Sequence, residues 1–559
     1  MTLTVPLQWV AYPAAAILCY FSCFKGPPIF DDLEVLETAN ALKWKWKYVR
    51  GSHRVLTLLS YAVQKLWPNT FRSLHVANAL LHALVGMVVA QIATQLGSDE
   101  ASAFFAGLLF TVHPFAANTV AYLSGRAAIL CSLFGFLAVW ALLTPGQTHW
   151  AMLFLGMTLI CKEDGLGFGP LLGAVAVLRG EWVFAAVLGL AGIGLIAWQW
   201  PQFKLYLKGN GDAMMRTIGL PVSLPQPQHG YTVLVETLIR LPLWTLGAGL
   251  SPYHGSGVKV SPLYRAAIVL ILSFIYSLLF WLHPIPTLSL LLGPWTVYLV
   301  CRVPDQICEY RSYSSLAGMA LFGGLYIKDA AAGSGILLTA AILTAYHAYP
   351  WSKETRMWAR ASTAYSGDPS RAYGELGAHY KLQGDGFRAE MALRDAVRIN
   401  PGFGPALNNL AWVLWDKQAQ FPEKAPALQA ESLTIMESCV QHCPEYALGW
   451  QDLGKLYDAA GKSPALADDC YRQALALEPR MVYSVNRLGL TAFRAKDFAA
   501  AAAQFDRANE LQPGHFEFVY NRAVVWKHTG EPGKAMELFK KLPQPTPITG
   551  SMIPLEFAQ

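Results

Sequence analysis

Charged side chains are scarce in this chain. Asp, Glu, Lys and Arg together make up only 14% of its 559 residues, whereas hydrophobic residues make up 54% and the mean hydropathy is +0.31. This composition excludes an ordinary soluble enzyme and favours a protein with much of its mass in a membrane. The formal net charge is only +6, and the chain lacks a Lys/Arg block of the kind that binds nucleic acid. We therefore predict membrane lipids, and no nucleic acid, among its partners.

Paired cysteines are lacking as well. None of the nine cysteines forms a Cys-x-x-Cys pair with zinc-site spacing. Four of them (Cys19, Cys23, Cys131 and Cys161) lie in or near apolar segments, where a thiol behaves as a small hydrophobic group. Cys439, Cys443 and Cys470 lie in the C-terminal part of the chain. A disulfide among these three is left open, because it depends on the redox compartment that this part faces.

The N-terminus has no basic residue ahead of its first apolar run, 5–24. A cleaved secretory signal begins with positive charge, so we predict an uncleaved membrane helix here. Crossing a bilayer takes about 20 apolar residues per helix. Further candidate spans are 74–95, 101–118, 121–143, 149–162, 164–179, 182–200, 231–250, 264–283, 286–301, 313–328 and 331–349. Residues 1–350 are thus predicted to form a polytopic domain of about 11 to 13 transmembrane helices.

After residue 350 the chain becomes more polar, and prolines recur at roughly 34 residues. These prolines are Pro369, Pro401, Pro444, Pro479 and Pro513. Segments such as YALGWQDLGKLYDAAGKSPALADDCYRQALALEP read as two helices, with a small residue in the first and a proline closing the second, as in tetratricopeptide repeats. We predict a repeat α-solenoid at 351–545, followed by a tail at 546–559. Such arrays hold peptides or proteins, and a scaffold without a ligand is the alternative.

A polar stretch at 25–54 separates the first two apolar regions and is long enough to hold a site. It places Asp31 and Asp32 just after the end of the first predicted helix. It finishes in KWKWKY, a mixture of Lys and Trp that is typical of a helix lying in the headgroup layer. The aspartates also have a plain structural interpretation as the N-cap of the helix that follows.

Three polar residues fall within the predicted helix 74–95. His75, Asn78 and His82 stand at i, i+3 and i+7 and therefore share one helix face. Two histidines at i and i+4, the usual metal-binding pair, are absent, so we favour polar packing between helices over a metal site. His113, followed by Pro114, is kept as a separate candidate for the site.

Five segments of the membrane half carry motifs in a fixed order. They are GSHRVLTLLSYAVQKLWPN, LHVANALLHALV, HPFAANTVAYLSGRAAIL, CKEDGLGFGPLL and CEYRSYSSLAG. In this order, followed by the repeats, they resemble the transmembrane-and-tetratricopeptide-repeat O-mannosyltransferases over nearly the whole chain. The Asp31-Asp32 pair is similar to the acidic first external loop of polyprenol-dependent glycosyltransferases with the GT-C fold. The departures are Val55 in place of the family's Pro, Asp164 after Lys162-Glu163, and Tyr310 inserted before Arg311, and they leave the sugar open.

The resemblance implies an all-α GT-C domain that uses a lipid-linked sugar as its donor substrate. It also implies that Asp31 or Asp32 is the base that takes the proton of the attacking hydroxyl. The leaving phosphate needs positive charge, and the cations that lie near the ends of apolar spans within these motifs are Arg54, Arg126, Lys162 and Arg311. Further residues that would contact the acceptor or support the site are Glu163, Asp164, His113, His75 and Asn78. For Glu163 and Asp164, pairing with one of these cations is the alternative. A divalent metal requirement is left open.

These observations together predict an integral-membrane glycosyltransferase that moves a sugar, mannose by resemblance, from polyprenyl phosphate to Ser or Thr of a protein held by the repeats. A bacterial inner membrane with the repeats in the periplasm is the expected location. The polar stretch 25–54 is called loop one below. Cooperation between loop one and the repeats requires both on one face of the membrane, and hence an odd number of spans. A lipid or glycan acceptor is one alternative, and a non-catalytic assembly factor for an envelope or pilus is the other.

Overall fold

The computed structural model describes residues 7–29, 32, 55–64, 71–162, 165, 167–188, 190, 275, 277–287, 289, 313–363, 369–540, 542, 550 and 552–554. These residues form helices joined by turns, and none of them lies in a strand. They fall into two compact units, one ending at Ala372 and one beginning at Tyr373.

The first unit contains the apolar helices. In chain order they are α1 (Leu7–Tyr20), α2 (Val55–Gln64), α3 (Phe71–Gln95), α4 (Glu100–Val112), α5 (Ala117–Ala121), α6 (Arg126–Leu143), α7 (Thr148–Leu159), α8 (Phe168–Leu178), α9 (Leu316–Tyr326), α10 (Ala330–Ala348) and α11 (Glu354–Thr363). Short 3-10 turns at Phe21–Lys25, Pro114–Ala116 and Leu123–Gly125 connect some of them. Helices therefore occupy each predicted span that the structure describes in full.

Three described stretches are long and apolar enough to cross a membrane. They are Phe71–Gln95, Leu123–Leu143 and Ala330–Ser352. A fourth results if Glu100–Val112 and Pro114–Ala121, which meet at a bend of 40°, count as one broken span. The predicted total of about 11 to 13 includes segments outside the described residues, so it stays a prediction.

Aspartate side chains cap the first turns of α4 and α10. The Asp99 carboxylate accepts a hydrogen bond of 2.9 Å from the amide of Ser102 at the start of α4. Asp329 does the same for Ala332 at the start of α10, at 2.7 Å. Each satisfies one amide that has no partner within its helix.

The helix that follows residue 350 packs with the first unit rather than with the repeats. Trp351, Met357 and Trp358 are buried there. Arg360 donates a hydrogen bond of 3.1 Å to the hydroxyl of Tyr346 in α10. These contacts explain why the described residues divide after α11, at Ala372, and not at the composition change near 350.

The second unit, called the arm below, consists of five consecutive helix pairs. They are α12 (Ser370–Leu382) with α13 (Gly386–Ile399), α14 (Gly404–Lys417) with α15 (Ala425–His442), α16 (Ala447–Ala459) with α17 (Pro464–Leu477), α18 (Val482–Arg494) with α19 (Phe498–Leu511), and α20 (Phe516–His528) with α21 (Pro532–Phe539). Pro401, Pro444, Pro479 and Pro513 each lie two residues after a second helix, as predicted.

Small residues in the first helices allow the pairs to pack closely. A Cβ added to Gly454 would lie 2.7 Å from the ring of Tyr471 in the second helix of its pair. At the equivalent Gly489 it would lie 2.6 Å from the ring of Phe505. Each glycine therefore makes room for a buried aromatic ring, which explains the small residue that the repeat pattern predicts at this position.

The turn between the two helices contains a left-handed residue in four of the five pairs. Glycine provides it at Gly384, Gly461 and Gly530, where φ is 76°, 64° and 83°. In the fourth pair the same place is taken by Lys496, with φ of 63°, the one described non-glycine residue with positive φ. Because a Cβ disfavours this conformation, Lys496 is a strained position in the arm.

The cysteines of the arm are all buried and free. Cys439, Cys443 and Cys470 belong to one apolar cluster with Met436 and Leu453. The disulfide that the sequence left open is therefore not formed among them. Burial raises the pKa of the Cys439 thiol and of the Cys470 thiol to about 12, because a thiolate loses its hydration there.

Candidate functional site

The tight turn Leu123–Arg126, called the Arg126 turn below, is the centre of the site. It links α5 to α6 and lies in the motif SGR. A Cβ added to Gly125 would lie 2.0 Å from the carbonyl oxygen of Thr119, so only glycine fits. Ser124 and Arg126 flank this glycine, which fixes where both side chains start.

Arg126 is buried, with 1% of its surface exposed. Its Nε donates to Asn78 Oδ1 at 2.8 Å, and Nη2 donates to the carbonyl of Leu74 at 3.0 Å. The guanidinium carbon lies 4.1 Å from the centre of the Tyr61 ring. Nη1 makes no hydrogen bond to a described residue, and no described carboxylate pairs with this charge. The buried cation is thus oriented by neutral groups and retains an unused donor.

An apolar groove leads to Arg126. It runs between α2, α3 and the start of α6 and has a volume of about 860 Å³. Leucine, valine and alanine side chains form most of its wall, and Arg126 and the exposed Arg72 supply its positive charge. Val63, Leu80 and Leu84 in this wall are 40–45% exposed, so the groove opens at the outer surface of the helices. We call it the Arg126 groove.

Asp32 reaches the other side of the same turn. Its Oδ1 accepts hydrogen bonds from the amide and the hydroxyl of Ser124, at 2.8 and 2.7 Å. Its Oδ2 accepts from the amide of Ile29 at 2.9 Å. With 2% of its surface exposed, Asp32 joins loop one to the Arg126 turn. The three donors stabilise the ionised carboxylate and leave it poorly placed to take a proton from a substrate.

The polar face predicted on α3 exists, and its three members differ. Asn78 binds Arg126 and donates to the carbonyls of Tyr122 and Leu123 at 3.1 and 3.2 Å. His82 hydrogen-bonds the Tyr313 hydroxyl and the Thr111 carbonyl. His75 is buried, and neither of its ring nitrogens makes a hydrogen bond of good geometry. Asn78 therefore orients Arg126, its role in a site stays a prediction, and His82 serves helix packing.

His113 lies at the bend between α4 and α5. Its Nδ1 accepts a hydrogen bond of 3.1 Å from the amide of Phe115, so it caps the short turn Pro114–Ala116. This gives the residue a structural role at one ring nitrogen.

Lys162 is buried just after α7 and close to the start of α2. The amide of Leu56 donates to the carbonyl of Ile160 at 3.1 Å, and the Thr57 hydroxyl donates to the carbonyl of Cys161 at 2.9 Å. The motif that contains Lys162 is thus placed next to the first turn of α2, a helix that lines the Arg126 groove.

Five predicted site residues lie outside the described residues. They are Asp31, Arg54, Arg311, Glu163 and Asp164. Their proposed roles stay predictions. Among the residues that the structure does describe, no group of three or more His, Cys, Asp or Glu side chains is arranged to hold a metal ion.

Sequence reasoning missed Tyr61 and Ser124. The Tyr61 hydroxyl donates to the carbonyl of Leu123 at 2.5 Å while its ring supports Arg126. Both residues lie inside quoted motifs, YAVQ and SGR, but their partners are far away in the chain. Asp32 and Ser124, for example, are 92 residues apart.

The arm carries a second arrangement of polar side chains. Asn408, Gln451 and Asn486 occupy equivalent places in the first helices of three successive pairs, Asn521 lies one place further along the first helix of the fifth pair, and all four are buried. Asn521 Nδ2 donates to Asn486 Oδ1 at 2.9 Å across 35 residues of chain. We call these four side chains the amide ladder.

Comparison with known proteins gives one family model and several distant relatives. The sequence profile described as Tetratricopeptide repeat matches residues 452–515 and 487–547, so the arm contains these repeats. The Protein O-mannosyl-transferase TMTC4 of Homo sapiens is 26% identical over 198 residues, which are 27% of this chain and 27% of that protein. The Protein O-mannosyl-transferase TMTC3 of Mus musculus is 32% identical over 129 residues, which are 21% of this chain and 14% of that protein. Tmtc3 of Drosophila melanogaster is 26% identical over 214 residues, 29% of this chain and 23% of the relative.

The chain therefore covers between 14% and 27% of the length of these relatives. It is distantly related to them over part of its sequence. Among solved structures, the MamA protein is similar with a TM-score of 0.26 and 18% identity, over 31% of this chain and 88% of that chain. YrrB, titled a TPR protein with an unusual peptide-binding site, is similar with a TM-score of 0.26 and 19% identity, over 31% of this chain and 84% of that chain.

Proposed function

We propose that the protein is an integral-membrane glycosyltransferase that takes a sugar from a polyprenyl-phosphate donor and transfers it to a Ser or Thr hydroxyl of a protein. The relatives named protein O-mannosyl-transferases support the reaction class and suggest mannose as the sugar. The repeats support a protein acceptor, because such arrays hold peptides and proteins.

The observation that carries the proposal is Arg126 at the end of its groove. A buried guanidinium that no described carboxylate pairs with is costly unless an anion completes the site. Its Nε and Nη2 are used to fix its direction, which leaves Nη1 for the incoming group. A phosphate oxygen suits this donor, because charge-assisted hydrogen bonds from Arg to phosphate are short and strong.

The groove itself indicates what the anion is attached to. Its walls are aliphatic, its volume of about 860 Å³ lies within the range of ligand pockets, and its mouth faces outward between Val63, Leu80 and Leu84. In a membrane that mouth meets lipid tails. A chain of isoprene units can enter from the side while its phosphate stays at Arg126.

The reaction then needs a base near the phosphate. We assign this role to Asp31, because Asp32 is already held by Ile29 and Ser124. The acceptor hydroxyl oxygen bonds to the anomeric carbon as the bond from that carbon to the phosphate oxygen breaks. The hydroxyl proton passes to Asp31, and polyprenyl phosphate leaves against Arg126. Attack opposite the leaving group inverts the anomeric centre.

The proposal is tested by binding of undecaprenyl phosphate or dolichyl phosphate to the full chain in detergent. Arg126→Gln should weaken binding by about tenfold or more, the loss expected for a charge-assisted contact. The control is Arg179→Gln, which removes the same charge from an exposed position at the end of α8. Equal affinity for the Arg126 variant and the control would overturn the donor assignment.

A second pair of variants tests the groove separately. Ala77→Trp places a large ring inside the groove and should weaken lipid binding, whereas Leu153→Trp on the half-exposed face of α7 should not. If the purified chain binds the lipid but transfers no sugar from it to any protein acceptor, the assembly-factor hypothesis replaces the transferase.

A further inference from the structure

The helix α10 and the turn that follows it carry a row of exposed apolar and aromatic side chains. Leu338, Ile342, Tyr346 and Tyr349 are each 48–64% exposed. They stand at i, i+4, i+8 and i+11, a spacing that places them on one side of a helix. Of the three stretches long enough to cross a membrane, Ala330–Ser352 is the least buried. An uncovered apolar face of this length suits the tails of lipids. We call it the α10 row.

The α10 row ends at two arginines of the next helix, α11. The guanidinium carbon of Arg360 lies 5.1 Å from the centre of the Tyr346 ring, and that of Arg356 lies 4.6 Å from the centre of the Tyr349 ring. Arg356 Nη1 also donates to the hydroxyl of Ser352 at 2.9 Å. Each charge is thus held by the aromatic ring at the end of an apolar row. Arg and Tyr side chains together are typical of the level of lipid headgroups.

These arginines are fixed in place and have donors to spare. They stand one turn apart on α11, so both leave the same face of that helix. Lys353, exposed and three residues before Arg356, adds a third charge. The buried Met357 and Trp358 hold α11 against the first unit. In the described part of the chain no carboxylate pairs with these three cations, and Nη2 of Arg356 and of Arg360 makes no hydrogen bond.

We propose that this corner, residues Tyr346–Arg360, binds an anionic phospholipid. Its headgroup phosphate contacts Arg356 and Arg360, and an acyl chain lies along the α10 row. The cations need an anion and the row needs a hydrocarbon chain. A phospholipid supplies both in one molecule, whereas an acidic peptide supplies only the anion.

The corner is separate from the site of sugar transfer. The Arg126 groove is lined by α2, α3 and the start of α6, and none of these residues belongs to the corner. The inference rests on the proposed function only for the membrane location of the chain, and binding of a phospholipid here requires no transfer.

The test titrates the full chain in neutral detergent with phosphatidylglycerol that carries a fluorescent acyl chain. Unlabelled phosphatidylglycerol should displace this probe at least about tenfold better than phosphatidylcholine, whose headgroup has no net charge. Arg356→Gln/Arg360→Gln should weaken binding by about thirtyfold, since each cation near an anionic lipid contributes about a factor of five. The control is Arg388→Gln/Arg398→Gln, which removes the same charge from exposed positions on α13 and should bind like wild type.

Further measurements exclude misfolding and other sites. Arg356→Gln alone changes an exposed residue and should weaken binding by about fivefold at an unchanged unfolding temperature. Equal affinities for the double variant and its control would overturn the proposal. Loss of the probe in Arg126→Gln, with none in the double variant, would assign the lipid to the Arg126 groove instead.

Competition identifies the occupant. Glycerol phosphate and a polyglutamate peptide should displace the probe poorly, because neither has a chain for the α10 row. Displacement by either as effectively as by phosphatidylglycerol would overturn the proposal in favour of a soluble anion or an acidic protein segment. Unchanged binding of polyprenyl phosphate by Arg126→Gln would count against the proposed function and leave this inference intact.

Discussion

The guanidinium of Arg126 lies over the ring of Tyr61, with 4.1 Å between its central carbon and the ring centre. The two residues come from α6 and α2, and the Tyr61 hydroxyl also binds the carbonyl of Leu123 in the Arg126 turn. Tyr61 therefore fixes both the charge and the backbone from which it projects.

The first prediction separates these two contributions of Tyr61. Tyr61→Phe keeps the ring and should change lipid-phosphate affinity by less than about threefold. Tyr61→Leu removes the ring and should weaken binding by about thirtyfold, since a desolvated cation–π contact contributes about 2 kcal/mol. Titration of detergent-solubilised protein with polyprenyl phosphate measures both, and equal affinities for the two variants would refute a role for the ring.

The second prediction concerns the two aspartates of loop one. Asp31→Asn should abolish sugar transfer and leave lipid binding unchanged, because the proposed base takes a proton and the phosphate is assigned to Arg126. Asp32→Asn places an amide N–H among three donors, so it should lower the unfolding temperature as well as the activity. Ser124→Ala should reproduce part of the Asp32 effect. An Asp32 variant that is inactive yet as stable as wild type would return the role of base to Asp32.

The third prediction tests the Arg126 turn. Gly125→Ala would force a Cβ against the Thr119 carbonyl and should cost about 1–3 kcal/mol of stability, with weaker lipid binding. Gly169→Ala in α8, where an added Cβ meets nothing within 4 Å, is the matched control and should be neutral or stabilising. Equal unfolding midpoints for the two variants would contradict the close fit of this turn.

The fourth prediction relieves strain in the arm. Lys496→Gly should stabilise the fourth helix pair by about 1 kcal/mol, because glycine adopts the left-handed turn without a Cβ clash. Hydrogen exchange of peptides from α18 and α19 measures the gain. Gly461→Lys, the reverse change in the preceding pair, should destabilise α16 and α17 by a similar amount. Destabilisation by Lys496→Gly, or stabilisation by Gly461→Lys, would disprove the assignment.

The fifth prediction concerns the thiols of the arm. With the pKa raised to about 12, Cys439 and Cys470 should have about one thiolate per three thousand molecules at pH 8.5 and resist iodoacetamide until the arm unfolds. Mass spectrometry of each cysteine peptide, with guanidinium-unfolded protein as the positive control, gives the rates. Rapid alkylation in the folded state, or a disulfide-linked Cys439 peptide, would contradict the buried free thiols.

The raised pKa of Cys439 makes the stability of the arm fall at alkaline pH. The folded pKa lies above the ordinary thiol value of 9.0, so the unfolded state loses its proton first. The contribution of Cys439 to stability is complete below pH 9 and is lost as the pH rises toward 12. Cys439→Ala should reduce this alkaline loss of stability.

The all-helical architecture and the repeats could be predicted because their signals are local. The apolar run of α3 and the prolines after each second helix are visible within one segment. The site could be predicted only in part. Arg126 and Asn78 stand in motifs, but Tyr61 joins them through contacts across 62 residues, which no local pattern encodes. Asp31 and Asp32 look alike in sequence, and only the hydrogen bonds of Asp32 distinguish them.

The amide ladder shows a signal that was present and not used. Asn408, Gln451 and Asn486 each stand three residues before the small residue of a first helix and follow the repeat. A buried amide at a repeated position has no function that its own helix reveals.

The Arg126 turn is held by Asp32 on one side and faces the Arg126 groove on the other, and this has a thermodynamic consequence. If docking of loop one through Asp32 increases the affinity of Arg126 for a lipid phosphate, then the lipid must strengthen the docking of loop one by the same factor. The proposed donor would then help to hold Asp32 at the Arg126 turn, and without the donor this contact would be weaker.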